Sequence, residues 1–437
     1  MEVALIGIII LLTMLFIGVP LGMGLMTVGY FGFAYVHPHG FTAANSVAGQ
    51  QILELALNFQ FSVLPLFILM GVFVARAQLS DDLYEASNRW LGHFRGGLAM
   101  ATVAACGGFA AVSGSSAATA ATMAKVAVPS MRKYGYGDSL SAGTVAAGGT
   151  MGILIPPSGA LIIYGLLTEE DIAKLFVAGI IPGLITIAAY ITVIKIVTLI
   201  WPTMGPPGDR SSWNERLRSL YKIWGVLFLF FLIMGGIFFG IFTSTEAGGI
   251  GATGALVFAI IRRRMSWKIF YESLAEAAIT TAMIFTVAFG ALILNQFVNM
   301  SGMPQVVLAL IDSLDATPLQ VVLVIMAFYV LLGMFIEGVA MIFLTVPIFV
   351  PVIMGLDFGF SDVLIWWGIV LVMVVEISLI TPPIGLNVFI LKSMLPDVPL
   401  SKIFKGIAPF FCADLFRLAI VVIFPAVALW LPTVMFN

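Results

Sequence analysis

The chain has 437 residues, 61% hydrophobic and 10% charged, with a formal net charge of −2 and a mean hydropathy of +1.11. That composition excludes an ordinary soluble domain, in which about a quarter of the residues are charged. Apolar runs of roughly 15 to 25 residues recur from end to end, whereas a membrane barrel shows alternating segments of about ten, so the fold class is an all-α polytopic membrane protein. The two cysteines, Cys106 and Cys412, lie far apart in apolar sequence without metal or redox spacing and read as packing residues.

In chain order, the opening "MEVALIGIIILLTMLFIGVP" carries an acid where a signal peptide is basic, and reads as a retained first membrane segment. Lys and Arg cluster at 76 to 95, 125 to 133, 210 to 222, 262 to 268 and 392 to 405, which the positive-inside rule places in the cytoplasm. No Lys or Arg lies between Lys268 and Lys392, where Asp312, Asp315, Asp357 and Asp362 mark outward connections. Between these markers the predicted spans are 3–18, 22–36, 56–75, 139–167 and 172–200, then 223–242, 246–261, 280–299, 363–395 and 406–432. Residues 97–131 and 318–354 each read as two apolar arms of about 15 residues meeting at a small or polar centre. Such arms reach about 22 Å against a hydrocarbon core of about 30 Å, so each is predicted to be a re-entrant hairpin. The amphipathic "LSDDLYEASNRWLGHF" and "MPQVVLALIDSLDA" are predicted to lie along the two membrane faces.

The halves match in kind and order. At an offset of 222, Ser113 meets Phe335, Ser115 meets Glu337, Pro129 meets Pro351 and Gly137 meets Gly359, and after a further small drift "IPPSG" faces "TPPIG". An odd number of crossings per half turns the second copy upside down, and the charge markers agree. The expectation is therefore two inverted-topology repeats, each with a re-entrant hairpin and a Pro-Pro-interrupted helix, the architecture of secondary transporters.

A helix interrupted inside a bilayer exposes amide and carbonyl groups that lipid cannot satisfy, and aimed at a cavity these become a site for ions and carboxylates. The tip "SGSSAATAAT" offers the hydroxyls of Ser113, Ser115, Ser116 and Thr119, hard oxygen ligands suited to sodium. Ser158 follows the first proline pair and is open to three roles: substrate contact, cation ligand or backbone cap. Glu337 sits at the second tip in apolar sequence with no basic partner in its repeat, which points to a cation ligand or proton carrier. Thr381 and Asn387 flank the second proline pair as oxygen donors. Glu376 stands one turn ahead of that break, facing water or capping the structure. Asp414 and Arg417, three apart, are expected to pair with each other. There is no Walker A pattern, no nucleophile with a base, no zinc motif and no nucleic-acid-binding stripe, so the chain reads as neither an enzyme nor an ATP-driven pump.

The stretches "GFAAVSGSSAATAATMAKVAVPSMRKYGY", "GILIPPS" and "ITPPIGLNVF", in this order, resemble the large membrane subunit of TRAP transporters, the tripartite ATP-independent periplasmic family. The resemblance spans essentially the whole chain. It implies a sodium-driven importer of small organic acids in the bacterial inner membrane, with C4-dicarboxylates as leading cargo and sialic or other sugar acids behind. It also implies two partners, a small four-helix membrane subunit and a soluble periplasmic substrate-binding protein, and no cofactor beyond Na+ as coupling ion.

By position, the resemblance places one sodium site at Ser113, Ser115, Ser116, Gly152 and Pro156. It places the other at Glu337, Gly338, Thr381 and Pro382, and puts Ser158, Thr119 and Asn387 towards substrate. Relatives often carry aspartate where this chain has Glu337. An elevator mechanism is implied, with moving segments at 97–171 and 318–397. The fixed parts are then scaffold at 1–55, a span and cytoplasmic arm at 56–96, scaffold and the start of the second repeat at 172–279, a span and external arm at 280–317, and a closing span at 398–437. The competing expectations are a stand-alone sodium- or proton-coupled dicarboxylate carrier and a non-transport assembly role.

Overall fold

The computed structural model describes residues 2–436, with Asp312 described by its backbone alone, so the side chain of that loop marker lies outside the described residues. The first half runs α1 (Glu2–Phe16), α2 (Leu21–Val36), α3 (Gly40–Leu57), α4 (Val63–Arg76), α5 (Leu79–Leu91), α6 (Gly97–Ser113), α7 (Ser116–Lys133), α8 (Asp138–Thr150), α9 (Gly159–Thr168) and α10 (Ile172–Ile200). The second half runs α11 (Trp213–Phe238), α12 (Ser244–Ile261), α13 (Trp267–Met300), α14 (Met303–Ser313), α15 (Pro318–Gly333), α16 (Gly338–Met354), α17 (Val363–Ser378), α18 (Leu386–Met394), α19 (Leu400–Ile423) and α20 (Ala426–Phe436). Among the described residues there is no strand. Six helices of the described residues are long and apolar enough to cross a membrane: α4 with its leading turn, α10, α11, α12, α13 and α19.

Sequence signals mark the helix ends. Ser212 with Glu215, Thr243 with Glu246 and Thr317 with Gln320 form capping boxes at α11, α12 and α15, each satisfying otherwise orphaned amides. Both expected hairpins form: α6 turns into α7 at Gly114, and α15 into α16 at Glu337. Their arms of 17, 18, 16 and 17 residues span about 24–27 Å, still under the hydrocarbon thickness. Both Pro-Pro segments interrupt a helix, separating α8 from α9 and α17 from α18, and both Pro-Pro bonds are cis.

Several elements depart from the expected bounds, among them α11, which runs Trp213–Phe238 where 223–242 was expected. Residues 40–57, left without a helix, form α3, because a polar-rich helix lying on α2 and α13 needs no continuous apolar run. The expected span 280–299 extends back to Trp267, since Glu272 and Glu276 find a partner in Arg76 at 4.0 and 2.9 Å and so need not end the helix. The closing span 406–432 is two helices: Pro425 supplies no N–H, and Phe424 leaves the helical conformation with φ −120° and ψ 79°. Of the two cysteines, Cys106 is buried but Cys412 is exposed on α19, so only the first packs in the core.

Packing sorts the helices into two groups. In the outer group, α2 lies along α13, α12 along α4, and α11 against α5 and α12. The amphipathic α5 is tied to that group by Lys222–Glu85 at 2.7 Å, Arg89–Glu215 at 3.4 Å and an Arg262–Asp82 pair. In the inner group, the hairpins and broken helices pack with α10 and α19. Helix α10 packs on α6, α9, α17, α19 and α20, and α19 packs on α8, α10 and α17. The contact of α8 with α19 is backbone on backbone: a Cβ on Gly143 would stand 2.8 Å from Gly406 Cα. Small residues permit such approach where helix association depends on close packing.

Candidate functional site

The site begins at the first hairpin tip. Gly114 adopts φ +60° and ends α6, a left-handed conformation that glycine takes without strain. A Cβ there would lie 2.9 Å from the carbonyl oxygen of Pro157, so the tip rests on the first helix break. Ser115 is extended and caps α7, its Oγ accepting from the Ala118 amide at 3.3 Å. Ser113 Oγ and Thr119 Oγ1 stand 3.1 Å apart, and Thr119 donates to the Ser115 carbonyl at 2.7 Å. Thr119 is thereby used inside the tip. Gly152 lies directly behind it, where a Cβ would meet the carbonyl of Ser115 at 2.5 Å and the amide of Ser116 at 2.8 Å. Pro156 is buried in the same break.

Of the three roles the sequence left open for Ser158, its hydroxyl performs backbone capping. It donates to the Ile153 carbonyl and accepts from the Leu161 amide at 3.3 Å, starting α9, and the residue is fully buried.

At the second tip Glu337 is the N-cap of α16, with Oε2 accepting from the Ala340 amide at 3.0 Å. Gly338 is buried behind it, where a Cβ would meet Val375 Cγ1 at 2.7 Å on α17. At the second break Thr381 donates to the Ile377 carbonyl at 2.6 Å, and Pro382 and Pro383 are exposed. Asn387 is buried, and its Nδ2 donates to the Ala146 carbonyl of α8 at 3.3 Å, which ties the two broken helices together.

A cavity of about 420 Å³ brings part of this set together. Ser113, Ser115, Ser116 and Glu337 line it from the two tips, with Pro157, Gly159 and Ala160 from the first break and α4 and α13 opposite. Gly152, Pro156, Ser158, Thr119 and Gly338 sit behind the lining, while Thr381, Pro382 and Asn387 belong to the second break and do not reach it. Three helix N-termini, those of α7, α9 and α16, meet at this one cavity. Each carries roughly half a positive charge at its first turn, which favours anionic groups, with one amide of each already held by Ser115, Ser158 or Glu337 and the Glu337 carboxylate offsetting the charge at α16. No Lys or Arg is among the described lining residues.

Sequence reading missed Glu276 and Thr280, which line the cavity from α13, with Arg76 bonded to Glu276 beside them. Their spacing in "ESLAEAAIT", with Glu272, Glu276 and Thr280 at successive turns, was the available signal.

Residues 8–427 match the family model described as "Tripartite ATP-independent periplasmic transporter, DctM component". The chain belongs to that family. This TRAP large permease is 36% identical, over 87% of its length and 88% of the relative's, to the C4-dicarboxylate TRAP transporter large permease protein DctM of Pseudomonas aeruginosa. It is 31% identical, over 98% of its length and 68% of the relative's, to the sialic acid TRAP transporter permease protein SiaT of Haemophilus influenzae. In fold it is similar to the YdaH transporter of Alcanivorax borkumensis, with a TM-score of 0.64 at 14% identity, covering 91% of this chain and 90% of that one. It is thus a transporter permease and a multi-pass protein of the bacterial inner membrane.

Proposed function

We propose that this permease imports a small organic acid, a C4-dicarboxylate first, by sodium symport through an elevator movement. The observation that carries the reading is the meeting of three helix N-termini and three serine hydroxyls at one cavity that no basic side chain lines. Such a site attracts a carboxylate through backbone dipoles and leaves the remaining charge to be balanced by a coupling cation. Its volume of about 420 Å³ lies within the range of roughly 300–1,000 Å³ usual for ligand pockets. The cargo follows the Pseudomonas relative, itself a C4-dicarboxylate permease, with sialic acid second after the Haemophilus relative.

In this reading Ser113, Ser115 and Ser116, with the backbone at Gly152 and Pro156, form one sodium site. Glu337, Gly338, Thr381 and Pro382 form the other, and Ser158, Thr119 and Asn387 hold the lining from behind. The two halves are inverted repeats. The exchange of partners supports this, with α2 of the first half on α13 of the second and α12 of the second on α4 of the first. The moving unit comprises both hairpins, both broken helices and also α10 and α19, because these pack with the broken helices. A small four-helix membrane subunit completes the frame, and a periplasmic binding protein delivers cargo.

The test is uptake of a labelled C4-dicarboxylate into liposomes holding the permease and its small subunit, with binding protein outside. Uptake is expected only with an inward sodium gradient and only with the binding protein. Uptake by the permease alone, or uptake indifferent to sodium, would sink the proposal.

A further inference from the structure

Behind the cavity, in the middle of the inner group, lies a charged cluster that the transport reading does not use. Arg417 of α19 is fully buried and makes three directed bonds: Nε to Asp414 Oδ1 at 2.7 Å, Nη2 to Glu376 Oε2 at 2.5 Å, and Nη1 to Thr186 Oγ1 of α10 at 2.9 Å. Asp414 and Glu376 are likewise fully buried. The pairing of Asp414 with Arg417 is the one anticipated from their spacing, but Glu376, one turn before the second break, joins it from another helix.

The charges do not balance. Two carboxylates face one guanidinium, which leaves one negative charge uncompensated at a site closed to water. Among the described residues, the groups facing Glu376 from its neighbours offer no second cation. From α19 come Asp414 and Arg417, and from α10 come Thr186 and Tyr190. Tyr329 of α15 is bonded to Thr345, and Tyr164 of α9 donates to the Leu364 carbonyl, while α16 and α20 contribute no titratable group. Lys174 of α10 lies 3.8 Å from Asp362, and Lys195, Lys402 and Lys405 stand towards the ends of their helices.

The two acids also differ. Each keeps one oxygen that accepts no hydrogen bond from any described residue, Glu376 Oε1 and Asp414 Oδ2, but the Tyr190 hydroxyl, itself unbonded, stands beside Asp414. Two buried carboxylates, each with a free oxygen and one guanidinium between them, are costly to keep ionised together, and Asp414 has a hydroxyl at hand that can turn toward its charge.

We propose that the cluster is a proton-binding site in which Glu376 holds one proton and Asp414 and Arg417 form the ion pair beside it. The proton comes from water and converts the Glu376 carboxylate to the carboxylic acid; no other bond changes. The cluster is then neutral overall, and the inner helices can sit within the bilayer without a stray charge. The inference is independent of cargo and of coupling ion.

Infrared difference spectra of the purified full chain in lipid nanodiscs test it, recorded at neutral pH in choline and in sodium chloride. The expected result is a carbonyl-stretch band of a protonated carboxylic acid in both salts, shifted by carboxyl-isotope-labelled glutamate and untouched by labelled aspartate. Glu376→Gln removes it. Asp414→Asn removes it too, because Glu376 can then ionise opposite Arg417 alone. Absence of the band in the wild-type chain overturns the proposal, as does its persistence in Glu376→Gln. A band present only in choline means that sodium, not a proton, neutralises the cluster, and a band shifted by labelled aspartate moves the proton to Asp414; either result refutes the assignment. The labelled wild-type spectra decide the matter even if a variant fails to fold.

Discussion

Replacing Gly152 with alanine probes the contact between the first hairpin tip and the first helix break. The added Cβ would stand 2.5 Å from the carbonyl carbon and oxygen of Ser115, and ordinary contact begins at 3.4 Å, so the tip must retreat by about 0.9 Å. Overpacking of that kind costs ~1–3 kcal/mol. The displacement is nearly twice the ~0.5 Å within which a binding constellation has to be held. Stability should therefore fall modestly and ion binding severely. The assay is the thermal midpoint of the full chain in detergent, measured in sodium chloride and in potassium chloride. A ligand present at one hundred times its dissociation constant stabilises by about 2.7 kcal/mol, and that increment is the signal. Gly152→Ala should melt somewhat lower in potassium and lose more than half of the sodium increment. A variant that melts lower yet keeps the full increment would refute the placement of a sodium site behind Ser115.

Other outcomes follow from the same geometry. Glu337→Ala removes the cap of α16 and should cost ~0.5–2 kcal/mol of stability, while Glu337→Gln keeps an acceptor for the Ala340 amide and should melt like the wild type. If uptake fails equally in both, the carboxylate charge matters, and if only alanine fails, the cap does. Arg417→Leu leaves two buried acids without their partner and should cost ~3–5 kcal/mol in the same melt, far more than Glu376→Gln. Arg76→Ala breaks an exposed pair with Glu276 and should move the midpoint by no more than ~1 kcal/mol. Because it leaves an unpaired carboxylate facing the proposed anion path, uptake should slow several-fold and recover in Arg76→Ala with Glu276→Ala; unchanged uptake in the single variant would remove Glu276 from that path. Asp397 is held below the usual carboxylate range by its bond from Arg132. Its stabilising contribution is therefore present at neutral pH and lost as pH falls through that lowered value, so melting curves of wild type and Asp397→Asn should converge in acid.

The hairpins and helix breaks were legible because each depends on local chemistry: arms too short to cross, a glycine or acid at the apex, and a proline pair that no helix interior accommodates. The site was legible only in part. Ser113, Ser115, Ser116 and Glu337 share a cavity, but nothing in the spacing of "SGSS" and "IEGV" says which face of each tip turns inward. Ser158 read as open to ion, substrate or backbone because a serine after a proline suits all three, and only the positions of Ile153 and Leu161 show that its hydroxyl is engaged. Helix α3 was invisible to a search for apolar runs. The start of α13 was obscured by two glutamates whose partner, Arg76, lies some two hundred residues earlier. Glu376 was noticed without its role, since Arg417 comes from a different helix.

The seam where Gly143 meets Gly406 also bears on how the protein is made. Helix α8 leaves the ribosome with one side shaped for a partner that does not yet exist, and about 250 further residues, roughly 13–50 s of synthesis at about 5–20 residues per second, must follow before α19 begins. During that interval the flank around Gly143 lacks its partner. The first half cannot complete its own packing, so maturation must wait for the end of translation, and the nascent chain is exposed to membrane quality control for most of its synthesis.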